Sequence, residues 1–203
     1  MDFLSEDEKI LEKEFMDQGY IIREAANKDA LNKINKFVID MLRRKGGDSL
    51  DNTHESISIS KLNAFRLEVI KEINEQSWLR ESYYQIAKPY LDILVGNELA
   101  MQLRVNLSIQ LPGDSSSLLP IHADTWSGDS PYEVVVWLPL VDCYNTKSMY
   151  FLPPKAADNL SDNLKLHVQG DSEQLFNEIK DDVSWIKINY GEGLVFNQIY
   201  PHG

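Results

Sequence analysis

Hydrophobic positions recur along this chain with two different periods, and the change between them divides it. Through the first hundred residues the spacing is helical. Ser5 followed by Glu8 forms a capping box that starts a short charged helix running to about Gln18. Gly19 ends it, and Tyr20-Ile21-Ile22 reads as a short strand. Asn27 caps a second helix whose apolar positions Leu31, Ile34, Val38, Met41 and Leu42 share one face. Arg43-Arg44-Lys45 before Gly46-Gly47 suits its carboxyl end, where the helix dipole favours cations. Residues 46–58 are polar and read as loop. Leu62, Phe65, Val69 and Ile73 mark a third helix, and Leu79, Tyr83, Ile86 and Leu94 a fourth, bent near Pro89.

From residue 103 the period becomes two. Leu103, Val105, Leu107, Ile109 and Leu111 alternate with Arg104, Asn106, Ser108 and Gln110, which predicts a strand with one apolar and one polar face. Further strand-like runs lie at Glu133–Leu138, Ser148–Leu152, Trp185–Asn189 and Leu194–Phe196. Turn signals at Pro112-Gly113-Asp114, Ser127-Gly128-Asp129, Pro153-Pro154 and Gly191-Glu192-Gly193 separate them. Residues 155–183 read as a polar, acidic and partly helical insertion between strands. Short strands in series predict a sandwich or barrel with the earlier helices packed outside it. The expectation is one domain over 1–203, mainly β with flanking helices (α+β). Residues 1–100 form the helical support and 101–203 the β core.

Charge and composition narrow the function. The 203 residues carry a net charge of −12, which argues against nucleic acid or an anionic membrane as the main partner. A span would need a run of about 18 apolar residues, and none occurs. The acidic amino terminus does not read as a signal peptide. Cys143 is the single cysteine, so no internal disulfide or Cys-rich metal site is available. A cytoplasmic enzyme or binding protein for a small molecule is the natural expectation.

Candidate chemistry gathers around three residues. The predicted strand at 104–110 leads into His122-Ala123-Asp124, and a later strand leads to His202. Two imidazoles and a carboxylate make a three-ligand face, which leaves positions open on an octahedral iron(II). The tripeptide alone carries no weight: with 4 His and 32 acidic residues, about 0.6 His-x-acid tripeptides arise by chance. Placement carries more, because both segments sit at strand ends, where alternate side chains share a face. His54 and His167 have no such setting and read as surface histidines.

The stretch NLSIQLPGDSSSLLPIHADTWSGDSPYEVVVWLPLVDCYNTKSMYFLPP, with the later GEGLVFNQIYPHG, resembles the iron(II)/2-oxoglutarate-dependent oxygenases. It is similar to their phytanoyl-CoA hydroxylase-like branch, and most of all to the sporadic carbohydrate cluster group. The resemblance covers about residues 60–203. It implies a double-stranded β-helix (a cupin-like jelly roll) with His122, Asp124 and His202 as iron ligands. It further implies 2-oxoglutarate and O2 as cosubstrates, ascorbate as an in vitro reductant, and oxidation of a sugar or sugar derivative in surface-glycan biosynthesis. One departure stands out. Members of the superfamily usually carry an Arg beyond the second His that grips 2-oxoglutarate, whereas this sequence stops at Gly203. The expectation is that the core lacks its last strand, since ending a barrel at a metal ligand leaves a raw edge. If the Arg is truly absent, a cupin-like sugar isomerase or a non-catalytic sugar-binding barrel becomes the alternative.

Four residues are candidates for holding the cosubstrate. Asn106 and Gln110 share a strand face that lines either the barrel interior or solvent, and Arg104 has the same parity. Lys147 either pairs with a carboxylate or is an exposed turn lysine. Trp126, Tyr132 and Trp137 could line a sugar pocket, with core packing the better reading for Trp137 in its apolar run.

Overall fold

The computed structural model describes residues 4–167 and 172–203. Helix α1 (Glu6–Gln18) begins at the predicted capping box: Ser5 Oγ accepts from the Glu8 amide at 3.3 Å, and Glu8 Oε2 accepts from the Ser5 amide at 2.6 Å. Gly19 closes it with φ 80°, and a Cβ there would lie 2.8 Å from both Phe151 and Tyr200. Only glycine meets both demands. Strand β1 (Tyr20–Glu24) follows, then α2 (Lys28–Arg43), whose Asn27 cap accepts from the Ala30 amide at 2.9 Å. A single turn, α3 (Thr53–Ser56), interrupts the polar loop and contains His54. Helices α4 (Ile59–Asn74) and α5 (Leu79–Leu94) complete the support, with Pro89 inside α5. The predicted apolar stripes of α2 and α4 are all buried in one cluster, together with Leu79 and Ile86 of α5.

The second half holds β2 (Val134–Trp137), β3 (Tyr150–Phe151), α6 (Pro154–His167), α7 (Ser172–Ile179), β4 (Ser184–Trp185) and β5 (Glu192–Asn197). The expected insertion is thus largely helical; within it 168–171 and the side chain of His167 lie outside the described residues. Strand β5 is central in an antiparallel sheet ordered β1-β5-β2, with Ile21 opposite Val195 and Val135 opposite Phe196. Pairing of β3 with β4 makes a second small sheet, which isolated bridges from Phe151 to His202 and from His202 to His122 carry further.

Strand alternation explains the layering. Ile21 and Val195 join Leu11 and Phe15 of α1 and Ala87 and Leu91 of α5 on one face of the larger sheet. Leu194 and Phe196 face the other way and pack with Phe151, Ile186 and Ile188 from the second sheet. Aromatic edges lock the interlayer, with Phe151 5.3 Å from Tyr20 and 6.0 Å from Phe196 between ring centres. Trp137 packs in this cluster, as its apolar run predicted. The mixture of helices and antiparallel strands is as expected, but helix and not strand predominates among the described residues, so the chain is not mainly β.

Among the described residues the strands form two antiparallel sheets and no closed barrel. One expectation needs correction: the predicted strand Leu103–Leu111 is not a strand. Alternation alone does not make one; a ladder partner must satisfy the backbone, and none is present among the described residues. Asn74 substitutes at one point, its amide exchanging two 2.8 Å hydrogen bonds with the N–H and C=O of Val105. The alternation still directs burial: Val105, Leu107 and Ile109 pack on the helical core, while Asn106, Ser108 and Gln110 are exposed. Leu103, expected on the apolar face, is 80% exposed.

Candidate metal centre

The approach to the first histidine is a turn fixed by Asp114. Its carboxylate accepts from the Ser116 amide at 2.9 Å and from the hydroxyls of Ser116 and Ser117. These bonds, the Ser116 hydroxyl first, hold its carboxyl below the usual range. The chain then alternates: Ile121 and Ala123 are buried, and His122 and Asp124 project to the opposite side.

Backbone pairing sets His202 beside them. The His122 amide donates to the His202 carbonyl at 2.9 Å, and the His202 amide donates back at 2.8 Å. Residues that exchange both bonds in an antiparallel pair lie directly opposite with side chains on one face. The imidazole centroids are accordingly 4.4 Å apart. On its other edge the 201–203 segment is held by β3 and its neighbour: Leu152 donates to Pro201 O at 2.8 Å and Tyr150 to Gly203 O at 3.0 Å. A Cβ on Gly203 would sit 2.5 Å from the Tyr150 hydroxyl, so the segment fits only as glycine.

The ring nitrogens have distinct duties. Nδ1 of His122 lies 2.9 Å from Pro120 O, and Nδ1 of His202 lies 2.9 Å from Tyr200 O. A carbonyl only accepts, so each Nδ1 carries a proton, and in the neutral ring Nε2 presents a lone pair. Those lone pairs face Asp124: His122 Nε2 is 3.5 Å from Oδ1, and His202 Nε2 is 4.0 Å from Oδ2. Burial pushes the His202 pKa down, reinforced by His122 and opposed by the Tyr200 hydrogen bond and the Asp124 charge, so its neutral form is favoured.

With both rings neutral, three acceptors converge with no donor between them, and their atoms all lie within 4.8 Å of one another. Without a cation this arrangement is electrostatically unfavourable; with one it is a ligand set. Bonds of roughly 2.0–2.2 Å at right angles need ligand edges of about 3.0 Å, so the 3.5 and 4.0 Å separations would close by up to about 1 Å. The donor set, two imidazole nitrogens and one carboxylate, fits a first-row divalent ion with positions left open. His202 is 5% exposed, whereas His122 and Asp124 are half-buried, so the site has one accessible side.

Of the candidates for a cosubstrate anchor, Arg104, Asn106 and Gln110 are exposed on the irregular 103–111 segment. Lys147 pairs with Asp51 at 2.7 Å and lies 5.8 Å from the centre of the Tyr144 ring. Trp126 and Tyr132 are exposed beyond Asp124. One supporting residue was not anticipated. Gln198 is buried, its carbonyl accepts from the Asp124 amide at 3.2 Å, and its side-chain amide donates to Ser130 O at 2.7 Å. It ties the aspartate loop to the turn before His202; an amide in the turn after an apolar strand is too ordinary a signal to reveal that.

The chain matches no protein-family model, and no curated protein matches it significantly. No helix among the described residues is long and apolar enough to cross a membrane.

Proposed function

We propose that this protein is a non-haem iron(II) oxygenase that uses 2-oxoglutarate to oxidise a sugar or sugar derivative. The observation that carries the reading is the convergence of His122 Nε2, His202 Nε2 and a carboxylate oxygen of Asp124, with both Nδ1 protons committed to carbonyls. That pattern is the two-histidine, one-carboxylate face associated with iron(II) and open coordination positions. Strand pairing supports a jelly-roll reading of the core. The 122, 202, 151 and 184 segments are neighbours in that order, and they face the β1-β5-β2 sheet across a shared apolar cluster.

His122, Asp124 and His202 would hold the ion. When bound, iron(II) supplies oxygen activation coupled to decarboxylation of 2-oxoglutarate, which leaves succinate and CO2 and delivers an oxygen atom to the substrate. The chain contributes the rest. Pro120 O and Tyr200 O fix the imidazole tautomer and orientation, and such partners raise ligand basicity. Phe196, 4.8 Å from the His202 ring, and the apolar interlayer behind it keep water from that side. Gln198 holds Asp124 against the His202 turn.

A metal-dependent isomerase or sugar-binding module of similar architecture is the second reading, favoured by one observation. Arg104, Asn106 and Gln110 are exposed, and Lys147 is paired with Asp51. Incubation with iron(II), ascorbate and 2-oxoglutarate under air decides between them. The oxygenase releases succinate even without its sugar, and His122→Ala abolishes that release. Metal binding with no succinate supports the second reading.

A further inference from the structure

Beside the triad lies a cleft that the proposed chemistry does not use. It encloses about 190 Å³ between α6, the turn at 199–201 and the single 3-10 turn that begins at Asp124. This is smaller than the roughly 300–1,000 Å³ of drug-sized pockets, so it suits one ring and its substituents. Both ends adjoin metal-site residues: Trp126 follows Asp124 by two positions, and Pro201 immediately precedes His202.

The lining has a definite chemistry. Ala157 and Leu160 of α6 give a buried apolar floor. Trp126 and Tyr200 contribute aromatic rings, and the indole is 47% exposed although it abuts a folded surface. Asp158 contributes an exposed carboxylate that has no hydrogen-bond or ion-pair partner among the described residues. It lies near enough to Tyr200 to help burial push that phenol's pKa upward. Among the described residues no Lys, Arg or His lines the cleft, and the whole chain carries −12. This lining disfavours anionic groups. A cation gains from the carboxylate and from the electron-rich faces of indole and phenol at once.

We propose that this cleft is a binding subsite for a protonated amine carried on a single sugar-sized ring, an amino sugar, with Asp158 as counter-charge and Trp126 and Tyr200 as walls. That the ring is a sugar rests on the function proposed above; that its cleft-bound group is cationic does not. Indole faces pack against the C–H face of a saturated ring, and Ser161 offers a hydroxyl to its polar edge. Neighbouring positions of the ring would then reach toward the open side of the triad.

The test uses the full, metal-free chain and three sugars that differ at one carbon: glucosamine, N-acetylglucosamine and glucose. Binding is followed by calorimetry or ligand-observed NMR at about pH 6.5, where a sugar amine is largely protonated. Glucosamine should bind at least tenfold more tightly than the two neutral sugars. Asp158→Asn should erase that preference, and Trp126→Ala should weaken all three; both side chains are exposed, and thermal melts verify that the variants fold. Equal binding of the three sugars, binding of none, or a preference that survives Asp158→Asn overturns the proposal. Metal uptake is measured on the same preparations. Metal uptake without amine preference removes the cleft and spares the metal reading, and the converse removes the metal reading alone.

Discussion

Replacing Asp124 by Asn should have opposite effects on the metal-free and metal-loaded protein. In the metal-free chain the carboxylate faces two imidazole lone pairs at 3.5 and 4.0 Å with nothing between them. An Asn amide turns one of these contacts between acceptors into a donor–acceptor contact. A hydrogen bond of this kind contributes about 0.5–1.5 kcal/mol. For a chain of this size 1 kcal/mol corresponds to about 2–4 °C in Tm, so the variant should melt about 1–6 °C higher than the parent. With metal the order reverses. Ion at 100 times its Kd stabilises the parent by about 2.7 kcal/mol, or about 5–11 °C, and the variant should lose most of that gain. The assay is a pair of thermal melts at about pH 8, above the ordinary histidine range, with and without cobalt(II). If Asp124→Asn lowers the metal-free Tm by several degrees, the carboxylate is a structural partner of the histidines and the argument from three converging acceptors fails.

Gly203→Ala should drive a methyl into the Tyr150 hydroxyl at 2.5 Å and weaken metal binding about 10–100-fold, the scale of lost supporting contacts, as read by cobalt(II) titration. His202 has a lowered pKa in the folded state, so the unfolded chain binds the proton more readily. Its contribution to metal-free stability should be intact above about pH 6.5 and be lost as the pH falls below it, and His202→Gln should flatten that part of the urea-stability profile; an unchanged profile refutes the assignment. Ile21→Ala, at a fully buried position between the larger sheet and α1, should cost about 2–5 kcal/mol in urea unfolding. Asn74→Ala removes both clamps on Val105 and should speed amide exchange across 103–111 while leaving β5 protected.

Helices and their buried stripes were readable because local signals decide them. The Ser5 capping box, the Asn27 cap and the spacing of Leu62, Phe65, Val69 and Ile73 each act within a turn or two of chain. Strands depend on partners far away in sequence. Residues 103–111 have the right alternation and pack the predicted side chains, yet they form no ladder, and no local pattern reveals that. The triad was readable from its residue types and strand-end placement. The carbonyls of Pro120 and Tyr200 that orient it belong to backbone geometry, which side-chain identity does not encode. Lys147 has a partner that no local pattern reveals, Asp51, 96 residues away.

The most direct test of the account is anaerobic equilibrium dialysis of the chain against iron(II), with bound metal counted per chain. The triad predicts one iron per chain for the parent protein. It predicts none at the same free-metal concentration for a variant in which His122, Asp124 and His202 are all replaced by Ala. Equal iron in the parent and the triple variant, or no iron in either, would contradict it.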